Sequence, residues 1–189
     1  MRDAVLLRAA GLPDPARQAL EIAAVAGLRF DLDLVAALAG GETGLDVPIE
    51  RGLIVEVAPG QAAFRHALTR EALYGDIPWP RRRALHRQIA ARLQIRGMPP
   101  GEIAEHWLAA RDFEQGRCAL LVAAEASCSM HAYRDAASAG RRALELWPEG
   151  EDEPGRLAVL DQLGQCAELC GELSEAARAW QEVAAAHRL

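Results

Sequence analysis

The sequence contains no lysine, so all 21 of its Lys and Arg residues are arginines. A P-loop needs a lysine that contacts the β- and γ-phosphates of a nucleotide. An enzyme that works through a Schiff base needs a lysine amine as its nucleophile. Both kinds of chemistry are therefore excluded within this chain.

Aromatic residues and long apolar runs are scarce as well. Aromatic residues make up 5% of the 189 positions, and the abundance of alanine and leucine favours helices over sheets. No apolar run reaches the roughly 18 residues that a membrane-spanning helix needs. The N-terminus carries Asp3 and only a short apolar stretch, which is not typical of a signal peptide. We expect a cytoplasmic protein that does not enter a membrane.

The chain has few cysteines, and their spacing does not predict a metal site. None of the four forms a CxxC pair, and no set of Cys and His has the spacing of zinc ligands. We expect all four to be small buried residues in a reducing compartment, without a metal. They are Cys118, Cys128, Cys166 and Cys170.

Charge is unevenly distributed along the chain. Residues 1–96 hold 13 arginines against 11 acidic residues, a net charge of +2, whereas residues 97–189 hold 8 arginines against 16 acidic residues, a net charge of −8. An acidic C-terminal half is a poor surface for nucleic acid. The asymmetry suggests two units with different partners.

The first part of the chain predicts three helices and then a two-stranded β-hairpin. Asp14, followed by Pro15, is a good N-cap for a helix that runs to about Ala26. Leu53–Val57 has β-type character, and a turn after it lets Ala62–Arg65 return as the second strand. Three helices followed by a hairpin are the order of a winged helix, and we predict no other β-structure.

Only helices are predicted after the hairpin, and the clearest linker is Gly97–Gly101. We therefore expect two domains: a winged-helix-like unit with a trailing long helix over residues 1–97, and helical repeats over residues 98–189. The predicted fold class is mainly all-α, with one small β-hairpin followed by antiparallel helix pairs of the tetratricopeptide (TPR) type.

Two C-terminal segments resemble TPR repeats. In the better match, Gly171 makes the turn between two helices, and the small residues Gly164 and Ala176 let the helices approach closely. The residues that carry this match are Leu160, Leu163, Gly164 and Ala167 on the first helix and Ala176, Trp180 and Val183 on the second. The alternative is an ordinary helical bundle.

The other segment is offset from the first by about 40 residues, which is longer than the usual TPR period of about 34. Ala136, Ala143 and Pro148 match its second helix, but Gly140 stands where an aromatic residue is usual. Stacked repeats offer a groove to a partner. The groove residues that we predict are Tyr133, Trp180 and Leu120, and Tyr133 and Leu120 could instead belong to the core.

The middle of the chain carries a specific pattern. The run from Phe64 through Arg65, His66 and Ala67 to Tyr74 leads into Pro80–His86, and Ile103–Trp107 and Ala132-Tyr133 follow. This pattern resembles the region after the nucleotide-binding core of signal-transduction ATPases with numerous domains (STAND ATPases). The nearest relatives are the large ATP-binding LuxR-type regulators, some of which carry cyclase domains.

The resemblance implies a role for one histidine. In these ATPases, a histidine at the end of the winged helix faces the bound nucleotide and helps to hold the ADP-bound, inactive state. His66 stands at the matching place with Arg65 beside it, although Ala67 replaces the aspartate of the plant and animal motif. We expect ATP or ADP only in a full-length parent and no cofactor in this chain. The alternative is that His66 caps its helix or packs locally.

Three functions follow from these observations. The first is a non-catalytic regulatory and interaction module of an ATP-dependent transcriptional or signalling regulator. Its repeats would receive an inducer or a protein partner, or contact the ATPase domain of the same polypeptide, and its winged helix would respond to the nucleotide state. The second is a stand-alone TPR adaptor. We expect no enzyme, because HExxH, GxSxG and CxxC are all absent from the sequence.

The third function, direct DNA binding, is suggested by an arginine-rich helix. Six arginines lie there with no acidic residue between them, at positions 81, 82, 83, 87, 92 and 96. The alternatives are a solvated face or docking to an acidic neighbour. In a winged helix, the helix before the wing reads the bases. Here that segment is Gly44–Arg51, whose Asp46 and Glu50 suit a phosphate surface badly.

Overall fold

The computed structural model describes residues 2–41 and 44–188 of the chain. These residues fall into two compact units, Met1–Arg92 (unit 1) and Leu93–Leu189 (unit 2). We predicted a domain boundary a few residues further on, after residue 97. Within the described ranges, no helix is both long enough and apolar enough to cross a membrane.

Unit 1 combines helices with a small sheet. Its elements in chain order are α1 (Arg2–Ala10), α2 (Asp14–Ala26), β1 (Arg29–Asp31), α3 (Leu32–Ala39), α4 (Asp46–Glu50), β2 (Ile54–Ala58), β3 (Gln61–Phe64), α5 (Ala67–Asp76) and α6 (Trp79–Ile95). The division between the two units falls inside α6.

The sheet of unit 1 is antiparallel, and among the described residues it has three strands in the order β1-β3-β2. The predicted hairpin is confirmed, because β2 pairs with β3 and Ile54 lies opposite Phe64. The strand β1 is a correction to our expectation of a hairpin alone. Phe30 of β1 lies opposite Ala62, and its ring is 5.6 Å from that of Phe64.

Two features explain why β1 was missed. Three residues are too few for an alternating pattern, and the aspartate at position 31 is a residue type that favours a helix N-cap. Asp31 does cap α3, since its carboxylate accepts a hydrogen bond from the Leu34 amide at 2.8 Å. The same carboxylate accepts a second bond from the Gln61 side chain of β3 at 3.1 Å. One residue therefore ends the strand and begins the helix.

The core of unit 1 is built around α2. This helix packs against α3, α4 and α5. Its buried side chains alternate small with large: Ala19, Ala23 and Ala24 let the neighbouring helices approach, while Leu20 and Ile22 fill the space. Burial of each of those two larger side chains stabilises the fold by about 2 kcal/mol. The predicted cap of this helix was wrong by one position, because Asp14 is its first residue and Pro13 its N-cap.

Unit 2 is helical throughout its described residues. After the end of α6 come α7 (Pro100–Ala109), α8 (Phe113–Ser129), α9 (Tyr133–Glu145), α10 (Glu153–Leu169) and α11 (Leu173–Ala186). Packing follows the chain order, because α7 packs on α8, α8 on α9, α9 on α10 and α10 on α11. Asp152 is the N-cap of α10, where its carboxylate accepts a hydrogen bond from the Gly155 amide at 3.2 Å.

Three turns of unit 2 share one geometry. Each has three residues between its helices, and the middle residue is left-handed: Arg111, His131 and Gly171 have φ of 56°, 61° and 85°. In each turn, the third residue donates its amide to a carbonyl five positions back. The pair α8–α9 begins at Phe113, and the pair α10–α11 begins at Glu153, which is 40 positions later. The offset between the two helix pairs is therefore the one predicted from the sequence.

The predicted fold class, mainly all-α with antiparallel helix pairs, is confirmed.

Candidate functional site

The two residues predicted to sense a nucleotide lie on the surface of unit 1. Arg65 and His66 are both exposed and directly follow β3. His66 occupies the N-cap position of α5 with an extended backbone, but its side chain makes no capping hydrogen bond. The Arg65 guanidinium lies beside Gly52, about 3.7 Å from where a β-carbon at that residue would be. His66 is therefore the N-cap residue of α5 by position, without a capping bond from its side chain.

A cluster around Tyr74 joins α5 to α6. The Tyr74 hydroxyl is 2.9 Å from Nε2 of the buried His86. The guanidinium carbons of Arg70 and Arg82 lie 4.9 Å and 4.7 Å from the centre of the tyrosine ring. Such cation–π contacts contribute about 0.5–2 kcal/mol each. The cluster makes Tyr74 the centre of a polar network that holds the two helices together.

All four members of this cluster belong to the sequence pattern on which the family resemblance rests. Arg70 and Tyr74 lie in its first run, and Arg82 and His86 lie in its second. Arg70 also donates to the Ala24 carbonyl at 2.8 Å, which links α5 to the core helix α2. Part of the pattern therefore has a structural role that does not depend on any ligand.

Several arginines of α6 contact other groups of unit 1. Arg81 forms an ion pair with Glu21 of α2. Arg82 donates to the Tyr74 carbonyl at 3.2 Å. The Arg83 guanidinium lies 5.5 Å from the ring centre of Trp79. Phosphate groups would have to compete with these contacts for the same guanidinium groups. The contacts therefore make the helix a poorer binding surface for nucleic acid.

The three residues predicted to line a partner groove occupy different positions in unit 2. Leu120 is 2% exposed and packs with Ala104 and Ala143, so it is a core residue. Tyr133 is half-buried at the start of α9, where its ring meets His131 edge-to-face at 5.7 Å. Trp180 is half-buried on α11, with its indole against Gly164 of α10. The burial of Leu120 removes it from any partner surface.

An open groove of about 700 Å³ lies between α9 and the start of α11. We call it the α9/α11 groove. Its lining residues are Arg141, Glu145, Gly171, Glu172, Leu173, Ser174, Glu175 and Arg178. With three glutamates against two arginines, the lining is slightly acidic, and the Leu173 side chain is 65% exposed.

Arg141 organises the groove. Its guanidinium forms ion pairs with Glu175 and, at 3.2 Å, with Glu172. The bond to Arg141 lowers the pKa of the Glu175 carboxyl, and the same bond raises the pKa of the Arg141 guanidinium. The Glu175 side chain is only 12% exposed, whereas that of Glu172 is 34% exposed. Water therefore screens the Arg141–Glu175 pair less than the Arg141–Glu172 pair. The pair ties α9 to α11 and fixes the shape of the groove.

Sequence reasoning missed this groove. The residues that form it lie 31 and 34 positions apart in the chain, and no short-range pattern joins Arg141 to Glu172 and Glu175. The one local signal was the spacing of the two glutamates at the start of a predicted helix, which places both on one face. That signal is common on surface helices and does not identify a site.

The cysteines differ from expectation in one case. Cys118 is exposed, so the prediction that all four are buried was wrong there. Cys166 is buried, and Cys128 and Cys170 are half-buried. Within the described residues, no group of three His, Cys, Asp or Glu side chains lies close enough together to hold a metal ion.

Comparison with known proteins adds one relative. A protein of Rhizobium meliloti (strain 1021), described as uncharacterized, is 32% identical to this chain over 145 residues. The match covers 69% of this chain and 14% of that protein, so the chain spans about one seventh of its length. No family model matches the chain. No solved structure matches it either.

Proposed function

We propose that this chain is a non-catalytic regulatory and protein-interaction module of a larger ATP-dependent transcriptional or signalling regulator of the STAND class. In this proposal, the helix pairs of unit 2 are TPR-like repeats that receive a protein partner or an inducer. Unit 1 is a winged helix that responds to the nucleotide state of an ATPase domain in the same polypeptide. The observation that carries the proposal is the repeated helix hairpin of unit 2.

The repetition supports an interaction role through its physics. The turns of α8–α9 and α10–α11 share a left-handed middle residue and the same amide-to-carbonyl bond, which supports the interpretation of these two pairs as repeats of one unit. A helix pair cannot cover its own apolar faces, and stacked pairs leave an extended surface that partners use. The α9/α11 groove, with the exposed Leu173 at its edge, is the part of that surface that we assign to a partner.

The slightly acidic lining favours a partner segment with positive charge. The Arg141 guanidinium is already engaged by Glu172 and Glu175, so the groove carboxylate that we assign to a basic partner residue is the exposed Glu145. A basic partner residue would gain charge complementarity there, which speeds association and excludes acidic competitors.

The surface position of His66 supports a nucleotide-linked role for unit 1. Its imidazole is exposed at the N-terminus of α5, where backbone N–H groups also favour an anion. The side chain does not cap its own helix. Any ATP or ADP would bind in the larger polypeptide, with His66 and Arg65 as the groups of this chain that contact its phosphates.

The length of the relative supports a modular role. A protein in which a sequence like this one occupies about one seventh of the chain has room for an ATPase and further domains. The alternative, a stand-alone TPR adaptor, shares the repeats but needs no ATPase. The third candidate function, direct DNA binding, is not favoured, because Arg81 and Arg82 already contact other groups of unit 1.

The first test is the mass of the native protein, measured by immunoblot of its own cells with an antibody to this segment. The regulatory proposal expects a band far above the 20.4 kDa of this chain. A band at 20.4 kDa would leave no room for an attached ATPase and would favour the adaptor.

The second test addresses His66 in the larger polypeptide. His66→Ala should release bound ADP faster and raise basal activity. The reason is that the ADP-bound, inactive state would lose the contact between His66 and the nucleotide. His187→Ala, which changes another exposed histidine near the end of α11, is the matched control and should retain ADP as the wild type does. Unchanged ADP retention in His66→Ala would remove the nucleotide-linked role.

A further inference from the structure

Two cysteines meet where one helix pair of unit 2 packs on the next. Cys128 lies in the last turn of α8, and Cys166 lies on α10, 38 positions later. The Cys166 thiol donates to the Cys128 sulfur, and the two Sγ atoms are 3.6 Å apart. Both belong to the apolar cluster that joins the pairs, together with Tyr133, Leu160 and Leu163.

We infer that Cys128 and Cys166 are a modification site: they form a reversible disulfide that links the pair α8–α9 to the pair α10–α11 when a small-molecule disulfide such as oxidised glutathione is present. The inference uses only contacts within unit 2. It therefore stands apart from the proposed regulatory function and can fail or succeed without it.

The geometry needs little adjustment. A disulfide has an S–S bond of about 2.05 Å, so the sulfur atoms must approach by roughly 1.5 Å from their separation in the reduced protein. Rotation of the two cysteine side chains, together with a small shift of the helix ends, can bring the sulfur atoms that much closer. Cys128 is only one residue from the end of α8, where a helix yields most readily.

The other cysteines are less well placed for this bond. Cys118 is exposed on α8, three helical turns before Cys128. Cys170 lies one turn after Cys166 on the same side of α10, and its thiol donates to the Ala167 carbonyl at 3.4 Å. The direct contact of Cys166 with Cys128 distinguishes this pair from the others.

The order of reaction follows from exposure. Cys128 is half-buried, whereas Cys166 is 1% exposed and its burial raises its thiol pKa to about 11. The Cys128 thiolate therefore attacks one sulfur of the small disulfide first, which forms a mixed disulfide and releases one thiolate. Cys166 then loses its proton to solvent, and its thiolate attacks the Cys128 sulfur and expels the second small thiolate. Two protein thiols are oxidised and one small disulfide is reduced to two thiols.

The consequence for the protein is a covalent link between neighbouring helix pairs. Such a link restricts the unfolded chain and holds the stacked pairs in register. The oxidised form should therefore melt at a higher temperature than the reduced form, by about 5 °C or more. A reducing compartment reverses the link.

The experiment treats the full 189-residue chain with oxidised glutathione at neutral pH, blocks free thiols by alkylation and maps the products by peptide mass spectrometry. The expected result is loss of two of the four thiols, a monomer that carries a peptide link between Cys128 and Cys166, and a raised melting temperature that dithiothreitol reverses. Cys118→Ser is the matched control and should give the same link and the same shift.

Cys128→Ser and, as a second and smaller replacement, Cys128→Ala should both abolish the link and the shift in melting temperature. The inference is overturned if Cys128 remains open to alkylation, stops at the mixed disulfide with glutathione, or pairs with Cys118 or Cys170. It is also overturned if the link forms but lowers the melting temperature, because the folded packing would then not accommodate the bond.

Discussion

Gly164 shows most directly how one residue controls the packing of a helix pair. A β-carbon at this position would lie 2.5–2.9 Å from three atoms of the Trp180 indole, which is closer than real β-carbons approach other groups. The indole is large and rigid and cannot move aside without disturbing its own helix. Glycine at 164 is therefore required by the tryptophan at 180.

We predict that Gly164→Ala destabilises unit 2 by about 1–3 kcal/mol, the usual cost of forcing an extra methyl group into a packed site. Gly140→Ala is the matched control. Its β-carbon would meet only the Leu163 β-carbon at an ordinary 4.0 Å, and the helix would gain about 0.5–1 kcal/mol. Urea denaturation followed by circular dichroism measures both changes. Equal midpoints for the two variants would contradict this account of Trp180.

The ion pair of Arg141 with Glu175 makes the second prediction at the scale of residues. The pKa of Glu175 in the folded protein lies below its ordinary value of 4.5, mainly because Arg141 donates to its carboxylate. The pair therefore stabilises unit 2 above about pH 4.5, and this contribution is lost as the pH falls through the lowered pKa.

Glu175→Gln should cost about 1 kcal/mol at neutral pH, a modest value because the Arg141 side chain is 42% exposed and water screens the pair. At low pH the variant and the wild type should converge in their free energy of unfolding, since the wild-type carboxylate is then protonated. Glu168→Gln, an exposed change on α10, is the control. A deficit for Glu175→Gln that persists unchanged to low pH would show that the charge is not its cause.

At the scale of elements, the three hairpin turns of unit 2 place different residues in the same left-handed conformation. Each turn places its middle residue in the left-handed region, which favours glycine. Gly171 meets this demand, whereas Arg111 and His131 adopt the same conformation with a β-carbon. The His131 ring offsets part of its cost through its contact with Tyr133.

Arg111→Gly should therefore stabilise the α7–α8 hairpin by roughly 0.5–1 kcal/mol, because it removes the strain of a left-handed side chain. The reciprocal change, Gly171→Ala, should destabilise the α10–α11 hairpin by about 1 kcal/mol. Thermal melts of the two variants beside the wild type test the pair. Shifts of the same sign would show that the turns do not share the demand for glycine.

At the scale of the whole molecule, the central feature is the division into two units. The segment from Gln94 to Pro99 is exposed, and it contains the end of α6 and the first residues of the predicted linker. Arg96 lies in this segment, where trypsin can reach it. The net charges on either side of it, +2 and −8, favour different partners for the two halves.

We predict that limited trypsin digestion cuts first after Arg96 and yields two fragments that resist further cleavage, because each unit has its own core. Mass spectrometry of a digestion time course identifies the first cut. Arg111, the exposed arginine of the α7–α8 turn, is an internal reference and should be cut later. A first cut within α2 or α8 would mean that the units do not fold as the structure divides them.

The local features of this protein were determined by its sequence. The turn residues predicted the β2–β3 hairpin, because such signals act between neighbours in the chain. The mainly helical fold followed from composition and from the spacing of apolar residues. The predicted roles of His66, Arg65, Tyr133 and Trp180 remain predictions, whereas Leu120 proved to be a core residue.

The long-range features were decided only by the tertiary structure. The strand β1 exists because Phe30 pairs across the sheet with a segment some thirty residues later. The α9/α11 groove depends on Arg141 meeting Glu175 over 34 positions, and the thiol pair on Cys128 meeting Cys166 over 38. Patterns in sequence report the periodicity of one element at a time. Which side chains meet across elements depends on how whole helices pack, and that packing is a property of the folded chain.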